Sequence, residues 1–259
     1  MKRDYFISVA LASFNGEKYI KEQLESILVQ LDDNDEVIIS DDGSLDDTLS
    51  IIKNFNDKRI KVIEGPKMGV KQNFANAISH SNGRYIFLSD QDDIWEPSKV
   101  EKVLNTFDKT GCSCVIHDNI VFESGTNDIL YDSFFKLRNS KRGIIKNIIK
   151  NSYIGCCMAI REDMKKYILP IPNNIEMHDK WIGIQCEKHG KVVFINDKLI
   201  RYRRHSNNVS ELKHLSLCKM IKNRIIFIVV YWRGKWYISN FEYIFWLIQH
   251  TFLYRQLCY

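Results

Sequence analysis

Arg84-Tyr-Ile-Phe-Leu-Ser-Asp-Gln-Asp-Asp-Ile-Trp95 is an apolar run that empties directly into three carboxylates, Asp90, Asp92 and Asp93. The run suits a buried strand, but burying such a cluster without counter-charge is very costly. The carboxylates therefore belong at a strand end that faces solvent, a cation or both. Hard divalent ions such as Mg²⁺ or Mn²⁺ take oxygen ligands, often one or two carboxylates plus substrate phosphates. A carboxylate pair at the carboxyl end of an α/β strand is thus a candidate metal-diphosphate site. The plainer alternative is an acidic turn in which Asp93 caps a helix that Pro97 helps to start. That alternative uses one Asp and leaves two unexplained.

Outward from this segment, hydrophobic periods of two kinds alternate through the first hundred residues. Tyr5–Leu11, Glu36–Ser40, Arg59–Ile63 and Tyr85–Ser89 read as strands, and Glu17–Leu31 and Val70–Ser81 as helices. A further helix is expected to run to Phe55, with Ser44 or Asp46 at its start. Strand–helix alternation implies an α/β fold with a largely parallel sheet and right-handed crossovers. Beyond Lys99 the pattern loosens. Ser113–Phe122 and Ile154–Ile160 are strand-like, and Glu123–Ser140 reads as a polar excursion. Glu162–Tyr167 and His178–His189 read as helices, and Val192–Ile195 and Leu199–Arg203 as two short strands.

Ligands of open α/β sheets bind outside the carboxyl ends of the strands. Three such ends carry polar signatures: Ser13-Phe14-Asn15-Gly16, Asp41-Asp42-Gly43-Ser44 and Asp90-Gln91-Asp92-Asp93. Their convergence on one edge favours a nucleotide site over unrelated turns.

Composition narrows the class. The 259 residues suffice for one α/β domain with a C-terminal addition, and the formal charge of +5 gives no case for nucleic acid. Seven cysteines match no zinc or CxxC spacing, and their odd number argues against a disulfide framework. The N-terminus lacks the apolar core of a signal peptide, and no run reaches the roughly 18 apolar residues of a spanning helix. A cytoplasmic location is expected. After residue 210, basic residues outnumber acids and are interleaved with Ile225–Trp232, Trp236, Tyr237 and Phe241–Ile248. Residues 211–259 are therefore expected to form a helical extension that lies on an anionic membrane surface. The alternative is packing against the domain or against a second copy in a homodimer.

Taken in order, Ile7–Gly16, Asp41–Ser44 with Asp46, and Ser89–Trp95 resemble the family-2 inverting glycosyltransferases of the GT-A fold. The likeness continues through Gly155-Cys-Cys-Met-Ala159, His178-Asp-Lys-Trp181 and Tyr202-Arg-Arg-His-Ser-Asn-Asn208. It covers roughly residues 5–210, and the wording is most similar to bacterial rhamnosyltransferase-type members, which build cell-surface polysaccharides.

The resemblance implies a GT-A domain over 1–210, with a nucleotide-sugar half (1–100) and an acceptor half (101–210). Ser13, Phe14 and Asn15 would meet the nucleotide, and Asp42, or Asp41 if the register differs by one, would bind the base imide. An Asp-Gly turn alone would also account for these two. Asp90 would lie near ribose and metal, Asp92 would coordinate Mg²⁺ or Mn²⁺, and Asp93 is a third member or a helix cap. His205 would complete the metal site, or join Arg203 and Arg204 on the diphosphate; otherwise it is a solvated surface histidine. Asp179 would be the catalytic base, and its bland alternative is a first-turn helix acid. Gly155, Cys156, His178 and Trp181 would line the acceptor pocket, although the cysteines also suit a packed strand. The donor would be a nucleotide-diphosphate sugar, dTDP-rhamnose among the options, and the acceptor a saccharide or lipid-linked sugar at the inner face of the cell membrane. Two other classes are a sugar nucleotidyltransferase and a non-catalytic scaffold. The first lacks its Gly-rich phosphate loop here, and the second is expected to lose Asp92 or Asp179, which this chain retains.

Overall fold

The computed structural model describes residues 4–205, Asn208 and 217–233. They divide into a large unit, drawn from 1–173 and 177–214, and a small one made of 174–176 and the helix at Leu217–Arg233.

The large unit is built on one mixed sheet. β1 (Ile7–Ser13), β2 (Glu36–Asp41), β3 (Ile60–Glu64) and β4 (Tyr85–Ser89) pair in parallel in the order β3-β2-β1-β4. Every residue of β1, β2 and β4 is buried, as in parallel strands covered on both faces, which read as unbroken apolar runs. α1 (Ile20–Leu28) packs Ile20, Leu24 and Ile27 inward, and α3 (Val70–His80) buries Phe74, Ala77 and Ile78. α2 (Thr48–Asn54) completes the crossover from β2 to β3.

The parallel pattern is interrupted after β4. The chain makes a two-residue strand, β5 (Ile94–Trp95), before α4 (Lys99–Thr110) begins at Ser98. Asp93 therefore caps no helix. It precedes β5, which pairs antiparallel with the late strand β9 (Val192–Arg204), Ile94 opposite Arg201. β6 (Cys114–Glu123) runs parallel to β9, while β8 (Met158–Arg161) inserts antiparallel between β4 and β6. The expected strand at 154–160 opens instead with a 3₁₀ turn at Gly155–Cys157.

The polar stretch after Glu123 is ordered. It holds β7 (Ile129–Tyr131), paired with β6, and α5 (Phe134–Arg138). Buried Asp118 anchors it by accepting from the Ser133 hydroxyl and the Phe135 amide. α6 (Ile144–Ile149) follows; then come α7 (Lys165–Ile168), preceded by a 3₁₀ turn at Glu162–Met164, and α8 (His178–His189). The two short strands expected near 192–203 are one, broken only by register shifts around Asp118.

The small unit is α9 (Leu217–Arg233) with 174–176. Among the described residues no helix is long and apolar enough to cross a membrane. The rest of the expected extension, 211–216 and 234–259, lies outside the described residues.

Candidate active site

The sheet delivers its polar strand ends to one edge. At the end of β1, Ser13 is buried and donates its hydroxyl to Asp41 Oδ2 at 2.8 Å. Asp41 also accepts from the Ser44 amide (2.8 Å) and hydroxyl (2.6 Å) and from the Gly43 amide (3.2 Å). These bonds account for both its oxygens, so Asp41 organises the turn. Asp42, one residue on, is half-buried and accepts from the amides of Lys67 (2.6 Å) and Gly69 (2.8 Å). A carboxylate holding two backbone amides is fixed in place and still has lone pairs for a ligand N–H. Of the two, Asp42 holds fewer hydrogen bonds and is the less occupied.

Phe14 is half exposed at the rim, and its backbone is gripped on both sides by Gln91. Oε1 accepts from the Phe14 amide at 2.9 Å, and Nε2 donates to the Phe14 carbonyl at 3.0 Å. Asn15 adopts φ 47°, a left-handed conformation that Asn tolerates, and its Oδ1 accepts from the Leu45 amide. A Cβ at Gly16 would lie 2.3 Å from Gln91 Oε1, so a larger residue there would push the Gln91 side chain off Phe14. Sequence reading passed over Gln91, although it stands inside the acidic motif.

The carboxylates separate into distinct environments. Asp92 meets His205 Nε2 at 2.7 Å, with Asn208 Nδ2 at 3.4 Å. His205 is stacked on Tyr19 at 4.9 Å between ring centroids, so it is held against the site and is no freely solvated surface group. Asp93 is fully buried; its Oδ1 accepts from the Arg203 amide at 3.0 Å while Oδ2 has no partner. Burial, with the charges of Asp92 and Asp90, holds its carboxyl well above the usual range. Asp90 is half-buried, and burial followed by Asp92 and Asp179 pushes it up to about 7. Ligand atoms of Asp90, Asp93 and Cys156 all lie within 4.8 Å of one another.

Two cations serve this cluster. Arg203 donates Nε to the Asp92 carbonyl at 2.8 Å, pairs with Glu22, and lies 4.8 Å from the ring centres of both Tyr19 and Phe122. Its guanidinium is committed to the acidic loop. Side chains alternate along a strand, so Arg204 falls on the other face of β9. Lys99 is fully buried, donates to the Cys156 carbonyl at 2.9 Å, and sits 3.9 Å over the Trp95 ring. Burial pulls its amine down to about 8, against the pull of Cys157, Cys156, Asp93 and Asp90 nearby. Sequence reading missed Lys99. Its one signal was its place at i, i+4, i+8 with Val103 and Phe107 on the apolar face of α4.

Asp179 stands in the first turn of α8, near enough to Asp90 for their charges to interact. Its Oδ1 accepts from the Lys180 amide at 2.5 Å and from Asn151 Nδ2 at 3.2 Å. His178 is buried, stacked on Phe74 at 4.1 Å, and neither ring nitrogen has a partner. Burial, aided by Lys71, pushes its imidazole down to about 3, so it is neutral. Gly155 lies against it, and a Cβ there would come within 2.6 Å of His178 Nε2. Trp181 is buried and donates its indole N–H to the Ile168 carbonyl, packing α8 on α7 rather than opening to a pocket. Cys156 is likewise buried, behind the carboxylates.

An edge carrying acidic loops after β2 and β4, with a further Asp at a helix start, marks the GT-A fold of nucleotide-sugar transferases. TarS 1–349 of S. aureus, solved in complex with UDP-GlcNAc, has this fold: TM-score 0.67 at 15% identity, covering 86% of this chain and 66% of that one. The mannosyltransferase PcManGT of Pyrobaculum calidifontis, solved with GDP-Man and Mn²⁺, gives 0.61 at 15% identity, over 78% of this chain and 58% of that one. Glycosyl transferase family 2 matches residues 8–168, and the chain belongs to that family. It is 26% identical over 221 residues to the UDP-Glc:alpha-D-GlcNAc-diphosphoundecaprenol beta-1,3-glucosyltransferase WfgD of Escherichia coli, covering 83% of each protein. It is 28% identical over 223 residues to the dTDP-rhamnosyl transferase RfbG of Shigella flexneri, covering 76% of this chain and 72% of that protein.

Proposed function

We propose that this chain is an inverting glycosyltransferase that moves a sugar from a nucleoside-diphosphate donor to a saccharide or lipid-linked acceptor during cell-surface polysaccharide assembly. One observation carries the reading: Asp42 and Asp92 follow the parallel strands β2 and β4 that flank β1, and Asp179 from a distant helix lies within electrostatic reach of Asp90. Acidic groups from separate parts of the chain at the carboxyl edge of the sheet support the reading.

The residues fit a divalent cation. Asp90 and Asp92 offer hard oxygen donors, His205 reaches Asp92, and Asp93 Oδ2 is a buried acceptor with nothing to accept. Asp90, Asp92 and His205 would hold Mg²⁺ or Mn²⁺, which when bound offsets the charge that gathers on the departing diphosphate. Asp42 accepts the imide N–H of a uracil or thymine base, and Phe14 covers the base at the rim. Asp179 takes the proton from the acceptor hydroxyl as its oxygen bonds to the anomeric carbon. On the opposite side of that carbon the bond to the diphosphate oxygen breaks. The Asn151 amide and the Lys180 N–H keep the Asp179 carboxylate turned toward the acceptor. Arg203 fixes the acidic loop through its backbone, and Lys99 supplies counter-charge from behind. A thymidine donor carrying rhamnose is one choice consistent with the relatives.

Release of nucleoside diphosphate from a panel of sugar donors tests the reading. Transfer from at least one donor with inversion at the anomeric carbon is expected. Pyrophosphate release from a sugar phosphate and a nucleoside triphosphate would replace it with nucleotidyl transfer.

A further inference from the structure

We infer that the segment spanning β7, α5 and α6, next to the mouth that holds Asp179, is a docking surface for an anionic lipid bilayer. Between Ser133 and Ile160 the sequence carries six basic residues and no acid. Lys136, Lys141, Arg142 and Lys150 are exposed. They alternate with exposed apolar side chains: Ile145 is 76% exposed and Leu137 39%, and all three residues of β7 face solvent. The link into α6 is held together, because Lys146 Nζ donates to the Asn139 carbonyl and Asn147 Nδ2 to the carbonyls of Lys141 and Gly143. Of the acids around the segment, Glu187 accepts from the Gly143 amide and Asp132 pairs with Lys198, while Asp128 stands exposed before β7.

Exposed isoleucine and leucine among uncompensated lysines suit the boundary of headgroups and acyl chains, where apolar burial and attraction to anionic lipid add. A polyanion such as nucleic acid would use the charges and leave the apolar side chains wet. The surface also stands where a lipid-borne substrate would need it. Lys180 Nζ donates to the Ile148 carbonyl at 3.1 Å, and Asn151, just past α6, holds Asp179. A bilayer under α6 therefore presents its headgroups beside the base. The inference extends the lipid-linked acceptor proposed above and rests on it for the meaning of the docking, but not for the docking itself.

Sedimentation of the full chain with phosphatidylcholine vesicles, with and without phosphatidylglycerol, tests it. Binding to the phosphatidylglycerol vesicles alone is expected. Each basic residue near an anionic surface strengthens binding roughly five-fold, so replacing Lys136, Lys141 and Lys150 together by Gln should weaken it roughly 100-fold. Ile145→Asn should weaken it as well. Donor turnover with a soluble acceptor should be unchanged in both variants, which also shows that they fold. Wild-type binding in the triple variant overturns the inference. So does loss in the lysine variant with full retention in Ile145→Asn, which points to a polyanion partner. Failure of donor turnover in the unmodified chain counts against the proposed function and leaves the vesicle result standing.

Discussion

At the scale of single residues the site depends on a few carboxylates whose surroundings differ sharply. Asp179→Asn preserves shape and both hydrogen bonds at Oδ1 but removes the proton acceptor. It should cut kcat by roughly 10²–10⁴ while leaving donor binding near wild type, as titration calorimetry with the nucleoside diphosphate and steady-state rates will show together. Asp92→Ala removes the partner of His205 and should lower kcat roughly 10²–10³ and abolish any response to added Mn²⁺; full activity in chelator would remove the cation from the reading. Asp90 allows a prediction of sign. Its folded pKa of about 7 lies above the ordinary carboxylate value. Its contribution to stability is therefore complete at acidic pH and lost as pH rises through 7. In chelator, the melting temperature should fall between about pH 4 and about pH 7, from the ordinary carboxylate value to the raised one, and Mn²⁺ should restore it most at the upper end. A melting temperature that climbs over that window would contradict the raised pKa.

At the scale of elements, the pairing of β5 with β9 deserves the emphasis that sequence reading could not give it. Two residues carry no periodicity, and their partner lies a hundred residues downstream. The strand is visible only once Arg203 closes on the Asp92 carbonyl and the Asp93 carboxylate. Arg203→Lys keeps the charge but loses the planar fork that reaches Glu22, the Asp92 carbonyl and two aromatic rings at once. It should cost about 2 kcal/mol of stability by urea unfolding and weaken Mn²⁺ binding more than nucleotide binding. β7 and α5 were hidden for a related reason. A polar stretch looks like a loop until Asp118, buried on another strand, supplies its anchor. β9 looked like two strands because residues 196 and 197 fall at its register shift, where pairing jumps from Ile195 to Lys198.

At the scale of the whole molecule, the parallel half was legible because its strands are unbroken apolar runs. α8 was legible to its bounds because a polar turn and a glycine frame it. Strand-end acids pointed to the carboxyl edge of the sheet for the same reason, since charge at the end of a buried run has few places to go. The antiparallel half was not legible, because β8 enters against the direction of both its neighbours and no local signal encodes direction. Trp181 and Cys156 were read by motif position as acceptor-lining. Their burial shows how a motif can preserve packing beside a site as well as contacts within it.

The double grip of Gln91 on Phe14 has a consequence for selectivity. It rigidly links the loop after β1, proposed to meet the heterocycle, to the acidic loop after β4, proposed to meet the pyrophosphate. A donor with an ill-fitting heterocycle would tug the acidic loop out of alignment. Exchanging one nucleotide for another should therefore show up as slower turnover at saturation, and not only as looser association.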